Sequence, residues 1–339
     1  MRKTILLVGL VAAALFLKGG ILAWAGLHGN LGEAEMLGPR EIELTYLARL
    51  PAIPVEAREI RLWIPLAKTG VEQEILRRQI DSPVPYTVRQ DPEFGNDMLY
   101  LTLIPPVPQP LEIAIHYQAR LLGSNDLSDP LPLKSAETER YLRPEGLVII
   151  DDEVRRRAQE ATAGRPSRWE KARGIYEQVI RSMRYDKTIP GYGRGDTARA
   201  CSVGAGNCTD FHSLFISMAR ATQIPSRFKI GFVVPPEPSG TIPGYHCWAE
   251  FYAEGKGWTP LDASEAWKHP ELRDHYFGAR EGNRFLVSLG RNIQLVPAPR
   301  NGPVNILFYP YVEVDGRAFD GVATEFRFKE LTRKFARNH

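Results

Sequence analysis

Neither a Cys-x-x-Cys pair nor a His-Glu-x-x-His element occurs in the 339 residues, which removes the two most familiar zinc signatures. An Asp-x-Asp-x-Asp-Gly calcium loop is missing as well. With only three cysteines, Cys201, Cys208 and Cys247, the chain is no disulfide-stapled scaffold. An excess of charge of one sign is also lacking. The formal charge of +3 comes from Arg2, Lys3 and Lys18 within the first 25 residues, and the remainder carries 40 basic against 40 acidic residues. A balance like that supplies no basic field for nucleic acid. There is no fixed-period repeat, no low-complexity tract and no βαβ rhythm. Long apolar runs are confined to the start of the chain.

That one run reads as an export signal over residues 1–25. Arg2 and Lys3 form the charged start, TILLVGLVAAALFL is the apolar run, and Ala23-Trp24-Ala25 offers a small-x-small cleavage site. The alternative is an uncleaved membrane anchor running to about Leu27. Lys18 and Gly19-Gly20 interrupt that longer run, and the uninterrupted part is short for a span of roughly 20 residues. Both readings put the bulk of the protein outside the cytoplasm, in the periplasm or beyond the cell. Neither adds an integral membrane domain past the first segment.

What remains is long enough for two domains with sizeable cores, at 43% hydrophobic and 24% charged residues. Residues 38–122 read as a β-sandwich domain. EIRLWIPL and LEIAIHY alternate apolar and polar positions with period two, and MLYLTLI adds a further strand. PPVPQP at 105–110 suits only a connection. A polar, proline-rich linker over 123–146 follows, and then a core domain over 147–330. There, SRWEKARGIYEQVIRSM opens with capping-box spacing at Ser167 and Glu170, and Trp169, Ala172, Tyr176, Val179 and Met183 form one apolar stripe. Beyond the helices, GYHCWAEFY, GWTPLD, RFLVSLG, NIQLVP and NILFYPYVEV read as strands of one antiparallel sheet, with a tight turn at Asp315-Gly316. Helices first and strands after give an α+β fold.

The chemistry centres on GNCTDFHSLF at 206–215. Phe211, Leu214, Phe215, Met218 and Ala219 mark one helix face, Asn207 is an N-cap residue and Asp210 is a first-turn acid. Cys208 therefore stands at the first helical position, where unpaired N–H groups and the helix dipole favour a thiolate. The same N–H groups suit an oxyanion formed when sulfur attacks a carbonyl. Such a nucleophile needs a base and an orienting group. His246 follows in GYHCWAEFY. The turn EGKG and the returning strand GWTPLD then bring Asp262 beside it, giving the chain order Cys, His, Asp.

Together, GNCTDFHSLFISMARATQIPSRFKIGF and GYHCWAEFYAEGKGWTPLDASEA resemble the core of the transglutaminase-like superfamily, related in fold to papain-like cysteine proteases. The likeness covers roughly 165–270: a Cys at a helix start, Ile-Pro-x-Arg closing the helix, His-x-Trp on a strand and Gly-Trp…Asp on the next. It implies Cys208 as nucleophile, His246 as general base and Asp262 as the residue that holds the imidazole. It extends to exported bacterial members with a β domain ahead of the core. Gln223 departs from the family, which places glycine before Ile-Pro; a side chain there must accept or avoid a left-handed backbone.

Other residues have plainer readings. His212, one turn after Cys208, reads as a packed or supporting histidine rather than a metal ligand with Cys201 and Cys208. Cys201 and Cys247 are open to pairing as a disulfide, while Cys247 also fits as a core residue. Tyr185, Trp248 and Trp258 are candidates to surround the site, with Tyr185 a possible oxyanion donor. The expected function is cysteine-dependent acyl transfer on a protein, peptide or cell-wall amide through a thioester, ending in hydrolysis or in transglutamination. That chemistry requires no cofactor. The alternative is a non-catalytic envelope binding or assembly module that keeps the fold.

Overall fold

The computed structural model describes residues 38–50, 56–106, 110–123 and 133–333, so residues 1–25, read from sequence as an export signal, lie outside the described residues. Alternation builds the first layers. In Arg40–Leu50 the side chains of Ile42, Leu44, Tyr46, Ala48 and Leu50 are buried while those between them are more open. Leu111–Leu121 repeats the pattern, and the two strands pair antiparallel from Arg40 opposite Leu121 to Leu50 opposite Leu111. One five-stranded sheet runs Ser239–Thr241, Ala323–Arg333, Arg40–Leu50, Leu111–Leu121, Gln73–Asp81. A second runs Arg317–Ala318, Tyr311–Val314, Ile60–Leu66, Asp97–Leu103, Thr87–Gln90. Ile60, Leu62 and Ile64 of the second sheet share a core with Ile113 and Ile115 of the first.

The carboxy-terminal strands correct the sequence reading. Tyr311–Val314 pairs with Ile60–Leu66, and Ala323–Arg333 pairs with Arg40–Leu50, so both complete the amino-terminal sheets instead of extending the core sheet. NIQLVP contributes only an isolated bridge, Ile293 to Val304. The reason is edge pairing: Arg40–Leu50 and Ile60–Leu66 each have a free side that a distant strand can cover. Period-two patterning shows that a segment is a strand but not which sheet takes it. The turn at Asp315-Gly316 is present, with both residues at positive φ, 49° and 77°. The stretch expected as linker contains the short helix Ser135–Arg140, and the Tyr141 carbonyl that follows accepts the N–H of Ser226.

The core sheet has four antiparallel strands in the order Gly257–Leu261, His246–Ala253, Ser226–Val233, Arg284–Leu289. Arg168–Ser182 forms the expected helix with both halves of its capping box, and Ala172, Tyr176 and Val179 are buried. Against the sheet lies Cys208–Ala221, in which every residue from Cys208 to Arg220 is buried. The sequence shows one apolar face for this helix; the structure covers all sides. Its polar residues are accommodated individually, as Arg220 shows by donating to the carbonyls of Ser226 and Arg143 and pairing with Glu145 at 2.8 Å. A helix buried all round is fixed in position, which is what a reactive terminus requires.

The two regions are tied by buried polar contacts. Lys229 Nζ lies 2.6 Å from Glu72 and 2.7 Å from Glu250. Gln73 donates to the Leu286 carbonyl and accepts the Leu286 N–H. Among the described residues no helix is long and apolar enough to cross a membrane.

Candidate active site

Asn207 caps the helix Cys208–Ala221 as its sequence suggests, accepting the N–H of Thr209. Asp210 completes a capping box by accepting the N–H of Asn207 at 2.9 Å. It does more than the first-turn acid the sequence shows, because it also accepts the N–H groups of Gly193 and Gly195 at 2.7 and 3.0 Å. One carboxylate thus clamps the glycine-rich loop over the helix start. A side chain at Gly206 would place its Cβ 2.1 Å from Asp210 Oδ2, so glycine is required there. Tyr245 Oη, bonded to Asn207 and Thr209, braces the same turn.

His246 begins the strand His246–Ala253. The neighbouring strand pairs as far as Ala249 opposite Leu261, and Asp262 follows as the N-cap of the short helix Ala263–Lys268. The hairpin register left open by the sequence is thereby set. Asp262 lies diagonally ahead of His246, and its Oδ2 reaches Nε2 at 2.5 Å. That leaves Nδ1 available to the sulfur, and Cys208 and His246 are near enough for each to shift the other's proton affinity. The three residues singled out from sequence are therefore brought together. All are buried, with Cys208 2%, His246 8% and Asp262 3% exposed.

The electrostatics favour an ion pair. Burial acts most strongly on Cys208 and opposes its ionisation, but hydrogen bonds from Cys247 and His246 and the charge on His246 outweigh it, holding the thiol well below its usual range. For His246 burial again opposes the charge, the Asp262 carboxylate more than offsets it, and the imidazole rises to about 9. Burial disfavours the Asp262 carboxylate, yet His246 and Arg284 keep it well below the usual carboxylate range. Both shifts favour a thiolate beside an imidazolium.

Cys247 is the core residue that the sequence allowed and not a disulfide partner of Cys201. Alternation along the strand sets it on the face away from His246, as a core residue or as a disulfide partner of Cys201. It is indeed fully buried, but on the face that the helix covers, beside Cys208. All three cysteines are free thiols. The Cys247 Sγ is 3.6 Å from Thr209 Oγ1 and 3.7 Å from His212 Nδ1. His212 is a supporting residue: its Nε2 accepts the N–H of Ala263 at 3.1 Å, immediately after Asp262. The same Nε2 also lies 3.4 Å from Asp262 Oδ1.

Two site residues had escaped the sequence reading. Arg284 Nη2 lies 3.0 Å from Asp262 Oδ2 and also pairs with Glu281. It comes from Arg284–Leu289, and nothing local marks it. Glu265 Oε1 lies 3.9 Å from His246 Nδ1 and 2.6 Å from Lys268 Nζ. Its spacing from the cap Asp262, three residues, is the signal that would have found it. Lys268 in turn sits 4.1 Å over the ring of Tyr185. The Tyr185 phenol is pushed up by burial and then by the charge of nearby Cys208, which places the expected tyrosine at the site. Trp248 is beside the site, under Arg284 at 5.6 Å, whereas Trp258 packs away from it against Tyr141 and Arg227.

His246, Asp262 and Glu265 present possible metal-binding atoms within 4.8 Å of one another. His246 Nε2 and Asp262 Oδ2 are engaged with each other in a hydrogen bond of 2.5 Å.

Residues 155–263 match the model of the transglutaminase-like superfamily. An uncharacterized protein of Haemophilus influenzae is 28% identical over 236 residues, 59% of this chain and 63% of that protein, so the chain spans under two thirds of that relative. A crystal structure from Cytophaga hutchinsonii, described as a candidate cysteine protease, superposes with a TM-score of 0.58 at 14% identity, over 88% of this chain and 93% of that one. That likeness shows the fold. The periplasmic domain of TgpA from Pseudomonas aeruginosa is more distant, with a TM-score of 0.39 at 15% identity over 72% of this chain and 95% of that domain.

Proposed function

We propose that this chain, which carries a transglutaminase-like superfamily domain, catalyses cysteine-dependent acyl transfer at amide bonds, with Cys208 as nucleophile, His246 as acid–base and Asp262 as its orienting carboxylate. The observation that carries the reading is the buried array in which Asp262 holds Nε2 of His246 near Cys208 at a helix start. The Cys208 sulfur attacks the amide carbonyl, and a tetrahedral oxyanion forms near the N–H groups of the helix's first turn. His246 gives its Nδ1 proton to the leaving amine, and a thioester remains on Cys208. Water or an amine then attacks that thioester, with His246 taking the proton. Water gives a peptidase or amidase and an amine gives a cross-link. The substrate is a protein, peptide or cell-wall amide met outside the cytoplasm, a location that rests on the amino-terminal sequence pattern.

One observation favours the second reading, a non-catalytic module: the sulfur is only 2% exposed. Alkylation by iodoacetamide across pH separates the two. Rapid labelling of Cys208 at pH 6 that slows in His246→Ala supports the enzyme. Labelling no faster than an ordinary thiol, unchanged in that variant, establishes the module instead. Labelled amine donors offered with peptide and cell-wall amides then identify the acceptor.

A further inference from the structure

We propose that Cys247 is a resolving thiol for Cys208, so that oxidation of Cys208 by a peroxide is captured as a Cys208–Cys247 disulfide that closes the site reversibly. The basis is a juxtaposition of two sulfurs from different elements. Cys208 opens its helix, Cys247 is the second residue of its strand, and Cys247 Sγ packs under the helix's first turn, 3.6 Å from Thr209 Oγ1 and 3.7 Å from His212 Nδ1. Both are buried, at 2% and 0% exposure. The acyl-transfer reading assigns Cys247 no step, and alanine or serine would fill its place on the sheet.

The two sulfurs differ in the way such a pair requires. Cys208 is lowered well below the usual thiol range, which favours it as the nucleophile a peroxide meets; Cys247 is raised above that range by burial and by Cys208, which favours its thiol form. The Cys208 thiolate attacks one peroxide oxygen, the O–O bond breaks, and the departing hydroxide takes a proton to become water. Sulfur is oxidised to the sulfenic acid and the peroxide is reduced. Cys247 sulfur then attacks the Cys208 sulfur, the S–O bond breaks, and hydroxide leaves as water with the Cys247 proton. A sulfenic acid without a neighbouring thiol goes on to sulfinic acid, which thiols do not reverse. Cys201 is a poor competitor. It lies half-buried on the separate helix Thr197–Val203, among the charges of Arg157, Asp151 and Glu153.

The test is peptide mapping after hydrogen peroxide, without reduction, and it needs no substrate. Wild-type protein should yield a linked Cys208–Cys247 peptide and an intact mass lower by two hydrogens, both restored by dithiothreitol. Cys201→Ser should behave identically. In Cys247→Ser, checked for folding by circular dichroism, Cys208 should accumulate as sulfinic acid that dithiothreitol does not recover. Wild-type protein that forms sulfinic acid at Cys208 while Cys247 stays reduced overturns the proposal, and so does a link to Cys201. Should Cys247→Ser fail to fold, the maps of wild type and Cys201→Ser decide alone. Loss of acyl transfer would leave this result untouched, because iodoacetamide reactivity of untreated Cys208 is read separately.

Discussion

Arg284 and His246 share one oxygen: Oδ2 of Asp262 lies 3.0 Å from Nη2 of the arginine and 2.5 Å from Nε2 of the histidine. The carboxylate is held from both sides, and the two cations act on it together and against each other. Arg284 stabilises the Asp262 charge while opposing protonation of His246. Replacing Arg284 alone would strand Glu281 in the interior at a cost of about 3–5 kcal/mol. The double variant Arg284→Met with Glu281→Gln avoids this. It should fold, and the alkaline limb of its pH–rate profile should lie above that of the wild type. An unmoved limb would make Arg284 a structural residue only.

The wild-type profile follows from the same groups. His246 has its proton up to about pH 9, well above the usual imidazole range. Cys208 loses its own far below the usual thiol range. The thiolate–imidazolium pair therefore exists across neutral pH, and acyl transfer should fall away on the alkaline side near pH 9. The sign for stability is the same: a raised histidine contributes fully below its unfolded value, roughly 6.5, and loses that contribution as pH rises through about 9. Denaturant titrations of wild type and His246→Gln between pH 6 and 10 measure it.

Asp262→Asn removes the charge that holds the imidazole cationic. Turnover should drop on the order of 10²–10⁴-fold, the usual span for acid–base assistance. Iodoacetamide labelling of Cys208 at pH 6 should slow in parallel. Undiminished labelling would show that the helix start alone ionises the sulfur.

Asp210 gathers three backbone N–H groups, those of Asn207, Gly193 and Gly195. Asp210→Ala leaves these donors without that acceptor and should cost roughly 2–4 kcal/mol, read as a lowered denaturation midpoint. Protease cleavage within 190–196 should become faster at the same time.

Gln223 accepts the left-handed backbone anticipated from the missing glycine, with φ at 61° on an exposed turn. Gln223→Gly relieves that strain and, after the added freedom of the unfolded chain, should stabilise by about 0.5–1 kcal/mol. Alkylation of Cys208 should not change, since the turn is at the far end of the helix.

The residues themselves determined the local pieces: the cap at Asn207, the helix-start position of Cys208, the strand of His246, the hairpin return to Asp262 and the turn at Asp315-Gly316. Each of these is written in neighbours a few positions apart, through capping geometry, period two or turn chemistry. Only the folded chain decided which sheet received Tyr311–Val314 and Ala323–Arg333, since an edge strand accepts any segment of suitable pattern. It alone also brought Arg284 to Asp262 and set Cys247 under Cys208. Those contacts join positions 22 and 39 residues apart, the first between segments of the core sheet and the second through the packing of the helix on that sheet. No periodicity within either segment encodes which side chains of another element will meet it.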